Sequence, residues 1–328
     1  FGNRVEVIPD YAFANCPNLK TFTIPASVRH IGYKAFFGCK SLQAVTIPEG
    51  VTSIGGLAFA ECNGLVDVAF NATRCTGASK IENGQTLSAF HNSKSIKNVT
   101  IGADVEILPD YLLLGCSSLN TINIPQKIRT IGENTFAGCI NLTTINYDAE
   151  RCEETLAFNG CAVVNLTIGN HVKSIPNFTF SDCGRLNDFI LPATVENIGK
   201  YAFKGCANIK KVTLPEGLKT IEGGAFEDCG NLREVYFNAI DCKAIVEYDD
   251  TTDIIPVFHS SSIRKVFLGT KVEAIPDYMF YRCYDIEDVT FNKTLKYIGK
   301  YAFYEARSLR YIYLPETLET LGGASFGE

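Results

Sequence analysis

The chain has 328 residues, of which 46% are hydrophobic and 20% are charged, and this globular composition excludes wholesale disorder. Its 30 Lys and Arg against 36 Asp and Glu give a net charge of −6, which argues against a general nucleic-acid binder. No stretch approaches the roughly 18 apolar residues of a transmembrane helix, so we expect no membrane insertion in this segment. The first residue is Phe and no signal peptide is visible, so we expect a processed or trimmed piece.

A short segment recurs along the whole chain. Ile31–Cys39 reads IGYKAFFGC, and the same pattern returns at Ile54–Cys62 and Ile198–Cys206. In chain order its Phe falls at positions 13, 36, 59, 90, 136, 158, 180, 203, 226, 258, 280, 303 and 326, with Leu113 in the remaining slot. These fourteen units, mostly 22 or 23 residues apart, predict a solenoid in which each repeat packs on its neighbours.

Each repeat predicts one short strand followed by a return segment. In the first repeat the apolar Leu19, Phe22 and Ile24 alternate with outward-facing positions, as in a half-buried strand. We expect these strands to stack in parallel, about 4.8 Å apart. Pro25 is expected to end its strand, and a short helical or irregular segment returns over the outer face. Gly32 and its equivalents are expected to permit a turn there.

A longer period and two insertions overlie the basic repeat. Super-repeats open near residues 1, 71, 148 and 238, and the insertions cover 76–86 and 243–253. We expect both insertions to be surface loops. The second is acidic, and calcium binding is its alternative interpretation, although the spacing of an EF-hand is missing. The period continues across both insertions, so the sequence predicts a single solenoid domain over 1–328.

The thirteen cysteines are odd in number and cannot all pair within the chain. Ten of them follow the repeat Phe by three residues, where we expect buried, reduced thiols rather than disulfides between stacked neighbours. Burial is also expected for Cys75, Cys152 and Cys242. No Cys-x-x-Cys or zinc spacing occurs. Ser325 lies in a G-x-S-x-G string without a downstream His, and no acid–base pair emerges. We therefore expect no enzyme, no cofactor and no metal site.

The outward positions of the predicted strands differ between the two halves of the chain. The first seven strands present small polar residues, whereas the last six present large apolar residues and arginines, namely Ile190, Tyr236, Phe267, Tyr311, Tyr313, Arg233, Arg264 and Arg310. The third positions of the five strands from Asp188 to Asp288 alternate in charge, which predicts a cross-strand charge ladder. Clustered aromatics with Arg are typical of interface hot spots, so we predict a partner site here. Incidental surface is the alternative.

The repeat pattern L-x-x-V-x-I-P-x-x-V-x-x-I-G-x-x-A-F-x-x-C resembles the BspA-like, or Treponema-type, leucine-rich repeat over essentially the whole chain. The departures are Ser93, Ser261 and Ala306 in Cys slots and Leu113 in a Phe slot. The resemblance implies a right-handed leucine-rich-repeat superhelix of about 14 repeats with a parallel β-ladder on its concave face. It also implies a bacterial or protist protein that is secreted or displayed at the cell surface.

From this resemblance we expect a non-enzymatic, adhesin-like recognition protein located outside the cell. Its partner is expected to be a protein, such as a host extracellular-matrix or other cell-surface protein, bound through the concave face of the C-terminal half. Two alternatives remain open. One is a spacer that presents another domain, and the other is a glycan-binding module in which the same aromatics stack on sugar rings.

Overall fold

The chain is a parallel β-solenoid of about 13 turns, which divides into two compact units, Phe1–Val163 and Val164–Glu328. The computed structural model describes residues 4–91, 93–153, 156–248 and 254–327. None of these residues lies in a helix, so none of them belongs to a helix long and apolar enough to cross a membrane. The helical form of the predicted return segments is therefore wrong.

The strands of the first unit are β1 (Val7–Ile8), β2 (His30–Ile31), β3 (Ala44–Ile47), β4 (Ser53–Ile54), β5 (Asp67–Phe70), β6 (Ser79–Glu82), β7 (Gln85–Ser88), β8 (Asn98–Ile101), β9 (Ile107–Leu108), β10 (Thr121–Ile124), β11 (Thr130–Ile131) and β12 (Thr144–Tyr147). The strands of the second unit are β13 (Asn165–Ile168), β14 (Ser174–Ile175), β15 (Asn197–Ile198), β16 (Lys211–Leu214), β17 (Thr220–Glu222), β18 (Glu234–Phe237), β19 (Lys243–Ile245), β20 (Glu247–Tyr248), β21 (Ile254–Ile255), β22 (Lys265–Leu268), β23 (Ala274–Ile275), β24 (Asp288–Thr290), β25 (Tyr297–Ile298) and β26 (Thr320–Leu321).

Each unit contains two kinds of parallel ladder rather than the one that the sequence predicts. The long ladder consists of the three- and four-residue strands, in the orders β3-β5-β8 and β10-β12 in the first unit and β16-β18-β22-β24 in the second. The short ladder consists mainly of two-residue strands, in the orders β1-β2-β4, β9-β11, β14-β15-β17-β19 and β23-β25-β26. The Ile that precedes the repeat Gly faces the core from this second ladder, for example Ile54 and Ile198.

The return segments consist of consecutive turns, most of which contain two left-handed residues. In most turns these residues stand two positions before and two positions after the repeat Phe. Tyr201 (φ 55°) and Gly205 (φ 69°) flank Phe203 in this way, and Tyr278 and Arg282 flank Phe280. An α-helix is right-handed throughout, so a left-handed residue every four positions prevents one from forming.

The glycine after the short strand is required by close contact rather than by its φ angle. Gly32 is not left-handed, and a Cβ on it would lie 2.5 Å from the backbone nitrogen of Asp10 in the preceding turn. Gly199 is equally close to Asn177 and Pro176. The expectation that this glycine permits a turn is wrong, because it instead lets two backbones approach each other.

Stacked phenylalanines and buried thiols fill the core of each unit. Phe36 and Phe59 stack with ring centroids 5.0 Å apart and an interplanar angle of 4°. The stack continues past both insertions, since Phe59 contacts Phe90 at 5.2 Å and Phe226 contacts Phe258 at 5.5 Å. The insertions therefore leave the packing of neighbouring turns intact.

The first insertion is an ordered β-hairpin rather than a plain loop. Strands β6 and β7 pair antiparallel, and Asn83 and Gly84 connect them with φ angles of 50° and 74°. Asn-Gly with two positive φ angles is the favoured two-residue hairpin turn, a signal that the sequence contained. The second insertion begins with β19 and contains β20, which pairs antiparallel with β21 immediately after the insertion. Residues 249–253 between them, where the calcium alternative was placed, lie outside the described residues.

Candidate partner-binding site

The long ladder of the second unit places two of the predicted site residues, Tyr236 and Phe267, in register. One outward row runs Lys211, Glu234, Lys265 and Asp288 across β16, β18, β22 and β24. A second outward row runs Thr213, Tyr236, Phe267 and Thr290 across the same strands. Neighbouring charges in the first row therefore alternate in sign, and the two aromatic residues of the second row are direct neighbours.

Tyr236 and Phe267 form an aromatic pair at the centre of this ladder. Their ring centroids lie 4.8 Å apart with an interplanar angle of 14°, and both side chains are half-buried. The Tyr236 hydroxyl donates a hydrogen bond to Oε2 of Glu234 at 2.9 Å. This hydrogen bond, together with burial, raises the pKa of Tyr236 above its ordinary value. The pair is thus an oriented apolar surface with one fixed polar edge.

Positively charged side chains border the aromatic pair. Lys211 lies on the flanking strand β16, Lys265 lies on β22 two residues before Phe267, and Lys210 precedes β16. Nη1 of Arg233 donates to the carbonyl oxygen of Ser262 at 2.9 Å. Nη1 of Arg264 lies 3.4 Å from Oε1 of Glu287, which is an exposed ion pair.

Ile190 and Asp188 do not belong to this ladder, contrary to the predicted strand. Residues 187–191 form no strand, and Ile190 is 81% exposed. Oδ1 of Asp188 accepts hydrogen bonds from the backbone nitrogens of Lys210 and Lys211 at 2.7 and 3.2 Å. Asp188 is therefore held by the backbone of the next turn, so it does not act as a side-chain member of a charge ladder.

Tyr311 and Tyr313 are highly exposed, at 76% and 84%, but they also lie outside any strand. Among the described residues, the long ladder of this unit ends at β24, so these tyrosines do not continue the row of the aromatic pair. Arg310 and Tyr311 instead line a small open recess of about 170 Å³ together with Phe303 and Phe326. The predicted set therefore separates into a central cluster on the ladder and two outlying groups.

The long ladder of the first unit has a different chemical character. Nδ2 of Asn146 donates to Oδ1 of Asn123 at 2.6 Å, and Nδ2 of Asn98 donates to Oδ1 of Asp67 at 2.7 Å. Small polar side chains form hydrogen bonds with one another along this face. Within the described parts of the chain, no group of three or more His, Cys, Asp or Glu residues is placed to hold a metal ion.

The repeats of both units match one family model. The model of the BspA type leucine-rich repeat region, built from six copies, matches residues 6–84, 80–153, 154–248 and 255–328. The chain belongs to the BspA-type leucine-rich repeat family.

The chain is similar to several solved structures, of which the first supports the shared fold. A leucine-rich repeat protein from Bacteroides ovatus is 24% identical, with a TM-score of 0.53 over 90% of this chain and 76% of its own. A leucine rich cell surface protein from Faecalibacterium prausnitzii is 23% identical, with a TM-score of 0.34 over 87% of this chain and 83% of its own. The pneumococcal vaccine antigen PcpA is 15% identical, with a TM-score of 0.33 over 90% and 80%. No curated protein matches the chain.

Sequence reasoning missed a group of tyrosines on the return turns of this BspA-type chain. Tyr278 contacts Tyr301 at 5.2 Å, and Tyr281 stacks on Tyr304 at 5.3 Å. The ammonium of Lys300 lies 4.8 Å from the centroid of Tyr301. These tyrosines recur two positions before and one position after the repeat Phe. That spacing is visible in the sequence once the return segment is known to be built of turns.

Proposed function

We propose that this BspA-type chain is a non-enzymatic recognition protein of the adhesin kind, secreted or displayed at the cell surface. Its protein partner binds the long-ladder face of the second unit, over strands β16, β18, β22 and β24. The observation that supports this most is the aromatic pair of Tyr236 and Phe267. A stacked, half-buried aromatic pair on an open strand face is the kind of anchor found at interface hot spots.

Two further features favour the same face. Repeat proteins commonly use the extended surface of their strand ladder for binding, because neighbouring repeats align equivalent positions. The charges beside the pair supply electrostatic complementarity, which sets the orientation and the association rate of a partner. Ile190, Tyr311, Tyr313 and Arg310 stand apart from the ladder, and we assign them a secondary contribution.

The test is a binding screen of the 328-residue chain against extracellular-matrix proteins and cell-surface glycans. Replacement of Tyr236 and Phe267 by Ala is expected to weaken the binding of a partner found in this screen. The expected loss of binding free energy is about 2 kcal/mol or more, the threshold of a hot spot. The matched control is Thr46→Ala with Thr100→Ala, since these exposed residues occupy the same strand position in the first unit.

A partner whose affinity is unchanged by the aromatic double variant would place the binding site elsewhere. The hairpin of β6 and β7 and the tyrosines of the return turns are then the next surfaces to change. If the chain binds only a glycan, and replacement of the aromatic pair abolishes that binding, the face recognises sugars instead of a protein.

A further inference from the structure

We infer that the protein bound at the aromatic pair presents an acidic segment that carries a large apolar side chain. The inference rests on the proposed function and adds the chemistry of the partner. It is drawn from three features of the long-ladder face: unpaired lysines, a negative charge that is already engaged, and an asymmetric distribution of charge across the strands.

The first feature is the set of lysines without an ion pair. Lys210, Lys211 and Lys265 are all exposed, and none of them forms an ion pair with any residue in the described ranges. Elsewhere on the chain many exposed lysines do have carboxylate partners, such as Lys219 with Glu196 at 2.7 Å. The three lysines are thus held by no ion pair of the face itself, although Glu234 and Asp288 stand in the same row, and a partner with carboxylates would complement them.

The second feature is the state of Glu234, the carboxylate that lies between Lys211 and Lys265 in the ladder. Its Oε2 accepts the hydrogen bond of the Tyr236 hydroxyl, which holds the ring in its stacked position. Glu234 thus orients the aromatic pair while the lysines on both sides point outward. A partner that places an apolar side chain on the pair brings its neighbouring residues over these lysines.

The third feature is a gradient of charge along the ladder. Positive side chains outnumber negative ones at β16, where Lys210 and Lys211 are adjacent and Asp188 is the neighbouring carboxylate, whereas β24 presents Asp288 and is preceded by Glu287. The chain as a whole has a net charge of −6, so the positive region is local and favours a specific acidic segment over general polyanion binding. The acidic part of the partner is expected over β16 and β18, which also fixes its direction.

The experiment uses the full chain and a labelled synthetic peptide in which glutamates flank a single tryptophan. Fluorescence anisotropy measures the binding of this peptide at low and at physiological salt. The same measurement is made with two matched peptides. One matched peptide has glutamine for every glutamate, and the other has serine for tryptophan. We expect only the peptide with both glutamates and tryptophan to bind well. Its affinity is expected to fall as the salt concentration rises, because exposed charges are screened.

The decisive variant combines Lys210→Glu, Lys211→Glu and Lys265→Glu. It is expected to raise the dissociation constant of the acidic peptide by about tenfold or more, since charge reversal turns attraction into repulsion. Lys97→Glu is the control, because Lys97 is an exposed lysine that precedes β8 as Lys210 precedes β16. We expect the control variant to bind like the parent chain.

Three results would overturn the inference. These are equal binding of the glutamine peptide, an unchanged affinity in the triple variant, and binding of a sulfated polysaccharide in place of the peptide. Failure of the proposed function is distinguishable. If Tyr236→Ala with Phe267→Ala abolishes binding of a matrix protein while the triple lysine variant does not, the site stands and the acidic partner is wrong.

Discussion

At Gly199 the backbone of one turn lies against the backbone of the turn before it. A Cβ on this residue would approach the backbone nitrogen of Asn177 to 2.7 Å and the carbonyl carbon of Pro176 to 2.9 Å. Neither atom belongs to a flexible side chain, so the turns themselves would have to separate. The Gly of the repeated Ile-Gly pair is thus needed because neighbouring turns lie too close together for a side chain at that position.

Replacement of Gly199 by Ala is expected to lower the free energy of unfolding by about 2 kcal/mol, as overpacking against backbone does. Urea unfolding followed by circular dichroism measures the change. Gly230→Ala is the matched control, because nothing lies within 4 Å of a Cβ at that glycine and its φ is not left-handed. Equal effects of the two substitutions would contradict the close-contact explanation.

The residue type at the Cys position of the repeat is related to one hydrogen bond. The thiol of Cys206 donates to the carbonyl oxygen of Phe180 at 3.2 Å, and Cys229 repeats this contact with Phe203 at 3.3 Å. Where Ser replaces Cys, the same hydrogen bond forms, as between Ser261 and the carbonyl oxygen of Phe226. The slot therefore favours a small side chain that donates this hydrogen bond, which explains why Ser is tolerated there, while Ala306 fills the slot of a later repeat without a donor.

At the scale of the elements, the column of phenylalanines links one turn to the next within each unit. Phe203 stacks between Phe180 at 5.5 Å and Phe226 at 5.2 Å, and all three are fully buried. Each ring therefore packs against two neighbouring turns. Because short strands have few hydrogen bonds of their own, this contact between turns supplies much of the stability of the stack.

Phe203→Ala is expected to destabilise the second unit by about 3–5 kcal/mol, the range for a buried Phe that leaves a cavity. Chemical denaturation followed by circular dichroism reports the loss. Ile190→Ala is the comparison, since Ile190 is 81% exposed and its replacement is expected to change stability by less than about 0.5 kcal/mol. A small effect at Phe203 would mean that the ring column is not the main link between turns.

The sequence predicted the periodic elements well, because one Phe and one Cys at a spacing of 22 or 23 residues leave few other folds. It missed the short ladder, whose two-residue strands such as Asn197–Ile198 are too brief to show an alternating pattern. It also predicted strands around Ile190 and Tyr313 from the same pattern, but those segments pair with nothing in a strand. The aromatic pair was predictable because its strands are four residues long and in register.

For the molecule as a whole, the thirteen thiols act together on stability. None of them forms a disulfide bond in the part of the chain that the structure describes, and eleven are buried. Burial raises the pKa of Cys116 and Cys229 to about 12 and that of Cys161 to about 11, from an ordinary value of 9.0. The folded chain therefore keeps protons that the unfolded chain releases near pH 9, so the contribution of these thiols is complete below pH 9 and is lost as the pH rises further.

The urea midpoint is accordingly expected to fall steeply between about pH 9 and pH 12. Titration of the midpoint over this range at constant ionic strength measures the slope. Cys229→Ser should reduce the number of protons released on unfolding in this pH range by about one, so the midpoint should depend less steeply on pH. The Ser hydroxyl is expected to retain the hydrogen bond to the carbonyl oxygen of Phe203. A midpoint that stays level from pH 8 to 11 would rule out this linkage.

The side chain that follows the Pro of the short strand points toward the next turn. Oδ1 of Asp10 accepts the backbone N–H of Tyr33 at 2.7 Å, and Asp110, Asn177 and Asp277 do the same for Glu133, Lys200 and Lys300. In each pair the acceptor precedes its donor by 23 residues. During synthesis on the ribosome the acceptor thus leaves the exit tunnel first, and each emerging turn meets a template already in place. Assembly can therefore proceed at the pace of translation, one turn at a time, without waiting for the C-terminus.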